Sequence, residues 1–307
     1  MTKGKGSISA ASVRQRLLNK SRESHTDFSL ILTRYGLERF LYRLSRSAYG
    51  ARFILKGAML FPLWGVYSFR STRDIDLLGF GDSDIQALEE VFREMCQVEV
   101  EDDGIIFDKD SVKAEDIRDQ LEYGGTRIRF TADLAGAQIS LQVDVGFGDA
   151  VTPEASEADF PTILDHPSPH LRVYPPETVI AEKFHAMVKL GIANSRMKDF
   201  YDIWVIARMF DFDGNILATA LERTFERRNT PLPLAAPLAL TDEFSKDVQK
   251  IRQWGAFLSR SALHVDTDLQ GVVKVISSFV MPPVEAFSRG ERFNLSWHAG
   301  GPWVKAS

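Results

Sequence analysis

The spacing of apolar residues predicts two helices in the first fifty residues. The segments ASVRQRLLNKSRE and DFSLILTRYGLERFLYRLSRS place apolar side chains three and four residues apart, which is the repeat of one helix face. Asp27 precedes the second segment and is a suitable N-cap, because its carboxylate can accept backbone N–H groups of the first turn. We therefore expect an N-terminal helical arm over residues 1–50.

The following hundred residues alternate between strand and helix patterns. Between residues 52 and 80, a short apolar strand, a Lys-Gly turn, a brief apolar helix and a second buried strand follow one another. DSDIQALEEVFREMCQ predicts an amphipathic helix capped by Asp82 or Ser83. GGTRIRFTADLAGAQISLQVDVGFGD predicts a β-hairpin that turns at AGAQ. We expect a mixed-sheet core over residues 51–152.

Beyond residue 152 the pattern becomes helical. Six prolines between residues 153 and 176, without sustained periodicity, predict a linker. Residues 177–307 then contain five segments of helical pattern separated by Gly, Pro or polar breaks: ETVIAEKFHAMVKLG, RMKDFYDIWVIARMF, NILATALERTFERRN, TDEFSKDVQKIRQWGAFLSRS and DLQGVVKVISSFVMPP. The expected fold class is α+β, with N-terminal helices and a mixed-sheet core followed by a C-terminal helical bundle.

The amino-acid composition indicates a globular protein without disulfides or membrane spans. A chain of 307 residues with 44% hydrophobic and 26% charged residues can bury a sizeable core. The single cysteine, Cys96, excludes an internal disulfide framework and fits a reducing compartment. No apolar stretch approaches the roughly 18 residues of a membrane span. We expect a cytoplasmic protein without membrane contact, and a monomer, since no long apolar seam is evident.

Charge is distributed unevenly along the chain, although the net charge is only −5. Residues 1–56 contain 12 Lys and Arg against 3 Asp and Glu, whereas residues 74–160 contain 6 against 23. A basic arm beside an acidic body can bind nucleic acid phosphates, or it can pair with the acidic body itself. Both interpretations remain open from the sequence.

Asp74 and Asp76 are the most informative charged residues. They lie two apart within an apolar strand, so both carboxylates emerge on one face while Ile75 points to the other. Two neighbouring carboxylates repel each other unless a cation lies between them, and oxygen ligands of this kind suit Mg²⁺. The spacing therefore predicts a magnesium site, although such an acidic triplet alone also arises by chance.

Two further features strengthen this prediction. Gly57 lies in a strand-to-helix turn, where a missing side chain lets a phosphate approach backbone N–H groups. Asp144 lies in another β-like apolar run, with Asp149 as the alternative third acid. Three aspartates on adjacent strands beside a glycine turn would suit metal-assisted phosphoryl transfer. In contrast, no phosphate-binding loop, dinucleotide motif, reactive thiol or zinc pattern is evident.

The combination of motifs resembles the nucleotidyltransferase toxins of the AbiEii/AbiGii type, a branch of the DNA polymerase β-like nucleotidyltransferase superfamily. The resemblance extends from about Val13 to about Pro282 and rests on five segments: RFLYRLSRSAYGARFILKGAMLF, RSTRDIDLLGFGD, LQVDVGFGD, ETVIAEKFHAMVKLG and SRMKDFYDIWVI. It implies a bacterial toxin that is paired with a cognate antitoxin protein and has a role in phage defence. It also implies transfer of a nucleotide from a nucleoside triphosphate (NTP), with Mg²⁺, to RNA, usually tRNA, which stops translation.

The resemblance also assigns roles to individual residues. It implies Asp74, Asp76 and Asp144 as metal ligands and catalytic residues. It implies nucleotide binding by Lys56, Gly57 and Ala58, where Ala58 replaces the Ser of the superfamily turn. On the C-terminal helices it implies Lys183 as a phosphate-binding and catalytic residue and Asp199 as a catalytic residue. Lys198 and Asp202 are implied in nucleotide binding, and the helical domain is expected to complete the active-site cleft.

Other interpretations of these residues stay open. The two aspartates at 199 and 202 lie three apart on one helix face, and Lys198 and Asp202 are spaced for a surface ion pair. The same fold would also suit an enzyme that transfers AMP to a protein side chain, or a catalytically silent nucleotide- or partner-binding protein. The basic N-terminal helices, or the helix with RTFERRN, are the expected places for RNA to bind.

Overall fold

The structure, a computed structural model, describes residues 9–66, 72–117, 124–261, 263 and 265–305. Residues 1–8 of the predicted N-terminal arm lie outside the described residues. The chain divides into two units, the first within residues 1–148 and 156–173 and the second within residues 149–155 and 174–307.

The first unit is built around a seven-stranded mixed sheet. Its strands, in the spatial order β3-β4-β5-β2-β1-β7-β6, are β1 Phe53–Lys56, β2 Asp74–Gly79, β3 Ile106–Ile117, β4 Gly125–Leu134, β5 Ala137–Phe147, β6 Ser156–Asp159 and β7 His170–Val173. The helices of this unit are α1 Ala10–Glu23, α2 Phe28–Arg46, α3 Leu60–Leu63 and α4 Ile85–Cys96. β2 runs parallel to β5 and antiparallel to β1, and β5 runs antiparallel to β4.

One face of this sheet forms the core of the first unit. The side chains of Ile75 on β2 and Val143 on β5 are fully buried, and Phe40 of α2 packs on Phe92 of α4 and on the sheet. α2 lies close to β5 because Gly36 has no side chain, and a Cβ there would lie only 3.0 Å from a methyl group of Leu141. The polar positions of the central strands therefore point to the opposite face of the sheet.

The second unit is mainly helical. Its helices are α5 Pro176–Leu190, α6 Met197–Met209, α7 Gly214–Arg227, α8 Asp242–Ser245, α9 Val248–Ser261 and α10 Leu269–Ser288. A three-stranded antiparallel sheet, in the order β10-β9-β8, consists of β8 Phe212–Asp213, β9 Leu295–Trp297 and β10 Trp303–Lys305. Among the described residues, no helix is both long and apolar enough to cross a membrane.

The structure confirms the α+β fold class and most predicted elements. Asp27 caps α2 and accepts the Ser29 N–H at 2.8 Å, and β4 and β5 form the predicted hairpin. The predicted cap of α4 was wrong, because Asp84, rather than Asp82 or Ser83, accepts a first-turn N–H, that of Ala87, at 2.9 Å. Asp84 directly precedes the first helical residue, and an N-cap carboxylate needs that position to reach the first-turn N–H groups.

Several strands were not predicted. The Pro-rich stretch, which was expected to be a linker, contributes β6 and β7 to the sheet, each only four residues long. The edge strand β3 escaped detection because its register shifts between Asp108 and Lys113, which interrupts the two-residue alternation of buried side chains. The three strands of the second unit are two or three residues long, too short for a periodic signal.

Candidate active site

The carboxylates of Asp74 and Asp76 lie on the face of β2 that points away from the core. Both residues are partly exposed, whereas Ile75 and Leu77 between and after them are fully buried. The Thr72 hydroxyl donates a hydrogen bond of 2.6 Å to Oδ1 of Asp74 and so orients this carboxylate. The predicted alternation is therefore present, and β2 presents two acidic side chains on one accessible face.

Strand register extends this acidic site across the sheet. Asp76 is directly opposite Asp144 of the parallel strand β5 and directly opposite Lys56 of the antiparallel strand β1. Directly opposite residues in neighbouring strands point to the same face and have closely spaced Cβ atoms. The structure thus brings Lys56, Asp76 and Asp144 into one row, although they are far apart in sequence.

Arg127 of β4 continues this row and holds the third carboxylate. Arg127 is opposite Asp144, and its Nε and Nη2 donate hydrogen bonds of 2.8 and 2.7 Å to the two carboxylate oxygens. Gln142 donates a further bond of 3.2 Å to Oδ1 of Asp144. The hydrogen bonds to Asp144 raise the pKa of the Arg127 guanidinium, which is therefore a permanent positive charge.

The Gly57 turn packs directly against the carboxylate of Asp76. Gly57 has a φ of 71°, in the left-handed region that favours glycine, and a Cβ at this position would overlap the Asp76 carboxylate. The neighbouring Ala58 is buried, with 4% of its surface exposed. Gly57 is thus required for two independent reasons, its backbone conformation and its approach to an acidic side chain.

The donor set of this site fits Mg²⁺. In the described part of the chain, no group of three or more His, Cys, Asp or Glu side chains forms a ready-made metal cage. Mg²⁺ does not need one, because it commonly takes one or two carboxylates and completes its shell with water and substrate phosphates. Asp74 and Asp76 supply such carboxylates, while Asp144 is engaged by Arg127.

The second unit holds a different acidic cluster, between α5 and α6. The ammonium of Lys183 lies 2.8 Å from Oδ1 of Asp199 and 2.7 Å from Oδ2 of Asp202. Arg196 Nε lies 2.7 Å from Oδ2 of Asp199. Burial raises the pKa of the Asp199 carboxyl, and the charges of Lys183 and Arg196 outweigh burial, so that its pKa falls below the ordinary value. Lys198 is exposed near the start of α6.

Asp149, the alternative third acid, belongs to the second unit. Its carboxylate lies 2.9 Å from Nη2 of Arg228, and the same guanidinium lies 3.7 Å from Glu182. Because Asp144 is in register with Asp76 on the neighbouring strand, the structure favours Asp144 over Asp149 as the acid beside β2.

Comparison with known proteins identifies the chain. The sequence pattern of the family described as nucleotidyl transferase AbiEii toxin, type IV toxin–antitoxin system, matches residues 39–282. This match covers more than three quarters of the chain. The protein belongs to the AbiEii family. It is therefore a toxin-type nucleotidyltransferase, an enzyme of the transferase class, and the predicted family is confirmed.

Solved structures similar to this AbiEii protein include two from Helicobacter pylori. JHP933 shares 16% sequence identity at a TM-score of 0.46, with 82% of this chain and 92% of JHP933 covered. A protein described as a candidate nucleotidyltransferase shares 15% identity at a TM-score of 0.44, with 83% and 95% covered. No curated protein matches the sequence.

The sequence did not single out three residues that shape this AbiEii site, namely Thr72, Arg127 and Gln142. The alternation of Arg127 with apolar neighbours in β4 was visible, and it placed the guanidinium on the polar face of the sheet. Its pairing with Asp144 follows from the register of the hairpin, counted from the turn after Leu134. Counting residues from this turn would therefore have found the pairing of Arg127 with Asp144. The opposition of Gln142 and Asp74 depends on the pairing of the parallel strands β2 and β5, which no turn connects.

Proposed function

We propose that this toxin uses Mg²⁺ to transfer a nucleotide from an NTP to an RNA acceptor, most specifically tRNA, and thereby blocks translation. A cognate antitoxin protein would counteract it in the cell. The observation that carries the proposal is the row formed by Lys56, Asp76 and Asp144 beside the Gly57 turn. This arrangement combines a glycine turn that packs against an acidic side chain with carboxylates on two adjacent parallel strands.

In the proposed transfer, the residues of the first unit have different roles. Asp74 and Asp76 would hold Mg²⁺, which would clamp the triphosphate and offset its developing negative charge. Backbone N–H groups of the Gly57 turn would bind the phosphates, and Lys56 would add a positive charge in the same row. Asp144 lies on the far side of Asp76 from Lys56. We assign it to orient or deprotonate an attacking hydroxyl.

The transfer exchanges one phosphorus–oxygen bond for another. The acceptor hydroxyl oxygen forms a bond to the α-phosphorus of the NTP, while the bond from that phosphorus to the bridging oxygen breaks. Pyrophosphate leaves with the bonding electrons, and the hydroxyl proton passes to the Asp144 carboxylate or to water. The products are RNA extended by one nucleotide and pyrophosphate.

The residues of the second unit are proposed on the family resemblance. Lys183 is assigned to the nucleotide phosphates, with Asp199 supporting it and with Lys198 and Asp202 also in nucleotide binding. The ion pairs of Lys183 with Asp199 and Asp202 support a fixed position for its ammonium, because two carboxylates restrain it.

RNA is the proposed acceptor because of the charge of α1. Arg14, Lys20 and Arg22 are exposed on this helix, and its only acidic residue is the last one, Glu23. Exposed Lys and Arg side chains on one helix attract the phosphates of nucleic acid.

The proposal is tested by incubating the purified protein with total bacterial tRNA, Mg²⁺ and each α-³²P-labelled ribonucleoside triphosphate in turn. The Asp74→Ala/Asp76→Ala variant is the control. We expect label on RNA from at least one nucleotide, and none with the variant or with EDTA. Label on protein alone would replace RNA by a protein acceptor. No label, combined with nucleotide binding measured by calorimetry, would indicate a nucleotide-binding protein without transfer.

A further inference from the structure

A groove of about 460 Å³ opens beside the start of β2. β5 begins at Ala137, but its pairing with β2 begins only at Gln142, opposite Asp74. In the part of the chain that the structure describes, residues 138–141 of β5 therefore have β4 as their only ladder partner. These residues line the groove together with Arg73 and the beginning of α2. The volume is in the range of sites that bind small molecules or single nucleotide units.

The side chains that line the groove are basic or neutral, whereas the chain segment around it, residues 74–160, is strongly acidic. The lining includes Arg73 and Arg129 and the amides of Gln138 and Gln142. The hydroxyls of Ser29 and Thr33 also line it, and they already donate to Asp27 and to the Ser29 carbonyl. Among the described residues, no carboxylate lines the groove, although residues 74–160 contain 23 acidic residues against 6 basic ones. Guanidinium, amide and hydroxyl groups are the donors that proteins use to contact nucleic acid phosphates and sugars.

Both arginines are available for an anionic ligand. Within the described residues, Arg73 is exposed and no carboxylate lies within ion-pair distance of its guanidinium, although Asp27 is near enough to interact with it electrostatically. Arg129 pairs with Glu115 on the neighbouring strand, but both side chains are more than half exposed, at 52% and 56%. Such surface ion pairs contribute little free energy, so a phosphate can replace Glu115 as the partner of Arg129.

Strand register places this groove on the acceptor side of the candidate active site. Asp74, Gln142 and Arg129 lie directly opposite one another across β2, β5 and β4. The Gly57 turn lies on the other side of β2, at the end of β1. In an in-line displacement the attacking and leaving oxygens are on opposite sides of the transferred phosphorus. If pyrophosphate leaves on the Gly57 side, the acceptor hydroxyl must approach from the side of β5.

We infer that this groove binds the sugar–phosphate backbone of the RNA acceptor next to its reacting hydroxyl. Arg73 and Arg129 contact acceptor phosphates, and Gln138 and Gln142 contact sugar or phosphate oxygens. This inference rests on the proposed function, and it adds the location of the acceptor and the residues that hold it.

The test compares two variants that remove the same charge. Arg73→Gln/Arg129→Gln alters the groove, whereas Arg93→Gln/Arg289→Gln removes one partly exposed and one exposed arginine, each of which pairs with an acidic neighbour outside the groove. Binding of total bacterial tRNA is measured over a salt series, and the KM values for NTP and tRNA are measured separately. We expect the groove variant to bind tRNA about tenfold or more weakly, with the slope of log affinity against log salt reduced by about 1.4 for two contacts to single-stranded phosphates. Its KM for NTP should match that of the control.

The outcomes separate the groove from the proposed function. If the wild type labels tRNA and both variants bind tRNA equally, the groove is not the acceptor site, and the proposed function stands. If the groove variant instead raises only the KM for NTP, the groove belongs to the donor, which also overturns the inference. If the wild type neither binds nor labels RNA, the proposed function is wrong, and the inference that the groove binds an RNA acceptor is wrong as well.

Discussion

The two acidic clusters of this protein differ in how their charges are satisfied. On the sheet of the first unit, Asp74 and Asp76 are partly exposed and lie side by side with like charge. Between α5 and α6 of the second unit, Asp199 and Asp202 are at most 1% exposed, and Lys183 lies between them. The sheet cluster presents carboxylates to a ligand, whereas the helical cluster is a closed arrangement of opposite charges.

This difference shows that acidic residues of similar spacing have different physical roles. Two like charges on one accessible strand face repel each other, and a bound cation relieves this repulsion, so such a pair suits ion binding. A buried set of opposite charges is stable only while every partner is present, because an uncompensated buried charge is strongly unfavourable. We therefore expect substitutions on the sheet to affect activity, and substitutions in the helical cluster to affect stability.

The largest expected effect is the loss of transfer in Asp76→Asn. The amide keeps the shape of the carboxylate beside Gly57 but removes the charge that would bind Mg²⁺. We expect transfer to fall by at least about 10³-fold, because a group that stabilises charge in the transition state contributes roughly 10²–10³-fold even as a neutral donor. The rate of nucleotide transfer to tRNA measures this effect, and the thermal unfolding midpoint should stay near that of the wild type.

Asp116→Asn is the matched control for Asp76→Asn, because Asp116 is an exposed aspartate on the edge strand β3 of the same unit. It should transfer at the wild-type rate. A folded Asp76→Asn variant with wild-type activity would remove Asp76 from the site and leave the sheet cluster without a catalytic role.

The next largest effect is a loss of stability in Lys183→Met. Methionine retains the length of the side chain, but it leaves the buried carboxylates of Asp199 and Asp202 without the ammonium between them. Removing one partner of a buried ion pair costs about 3–5 kcal/mol of the free energy of unfolding. Urea unfolding followed by circular dichroism measures this loss. The control is Lys198→Met on the exposed side of α6, which should change the free energy of unfolding by less than about 0.5 kcal/mol.

A stable Lys183→Met variant that binds NTP weakly would show that the helical cluster, like the sheet cluster, serves ligand binding rather than stability. Lys183 would then act mainly as a ligand for phosphate, as the family resemblance assigns it, and the ion pairs with Asp199 and Asp202 would hold it in position without stabilising the fold.

The sequence alone predicted the local geometry around Asp74, Asp76 and Gly57, namely the strand and the turn. The two-residue spacing of Asp74 and Asp76 and the glycine of the turn are local signals, and their structural consequences follow from the geometry of strands and turns. The closure of the helical cluster was not predictable in the same way. Spacing placed Asp199 and Asp202 on one face of α6, but their partner Lys183 comes from α5, and only the packing of the two helices brings the charges together.

The fold shows the same division between local and non-local information. Long periodic helices such as α2 and the β4–β5 hairpin were predicted, whereas β6 and β7 were hidden within a proline-rich stretch. α10 also continues to Ser288 past Pro282 and Pro283, since Val280 and Val284 are buried and hold the helix in the core. Tertiary packing here outweighs the free-energy cost of a proline inside a helix, which is about 3 kcal/mol per residue.

A smaller effect is expected from Gly57→Ala. This variant tests whether the close contact between the Gly57 turn and Asp76 is needed for transfer. Gly136→Ala is the matched control, because its φ of 79° resembles the 71° of Gly57, while a Cβ at Gly136 meets nothing within 4 Å. Both variants bear the strain of a left-handed alanine, about 1 kcal/mol. Only Gly57→Ala also displaces Asp76, so it alone should lose most transfer activity. Equal activity in the two variants would show that the contact between Gly57 and Asp76 has no part in the reaction.

The smallest effect we expect is that of Arg127→Gln, which tests whether the Asp144 side of the sheet site is positioned by its guanidinium. The variant keeps the Asp144 carboxylate but removes two hydrogen bonds of 2.8 and 2.7 Å. Loss of a residue that orients a functional carboxylate typically costs about 10- to 100-fold. We expect this loss in kcat, with the KM values for NTP and tRNA unchanged, and a partial recovery in Arg127→Lys, which retains the charge but not the two-pronged contact. Arg129→Gln, two residues along the same strand, should instead raise the KM for tRNA. A rise in kcat for Arg127→Gln would mean that the guanidinium competes with the metal for Asp144, so that the sheet site, like the helical cluster, is closed by an ion pair until its ligands arrive.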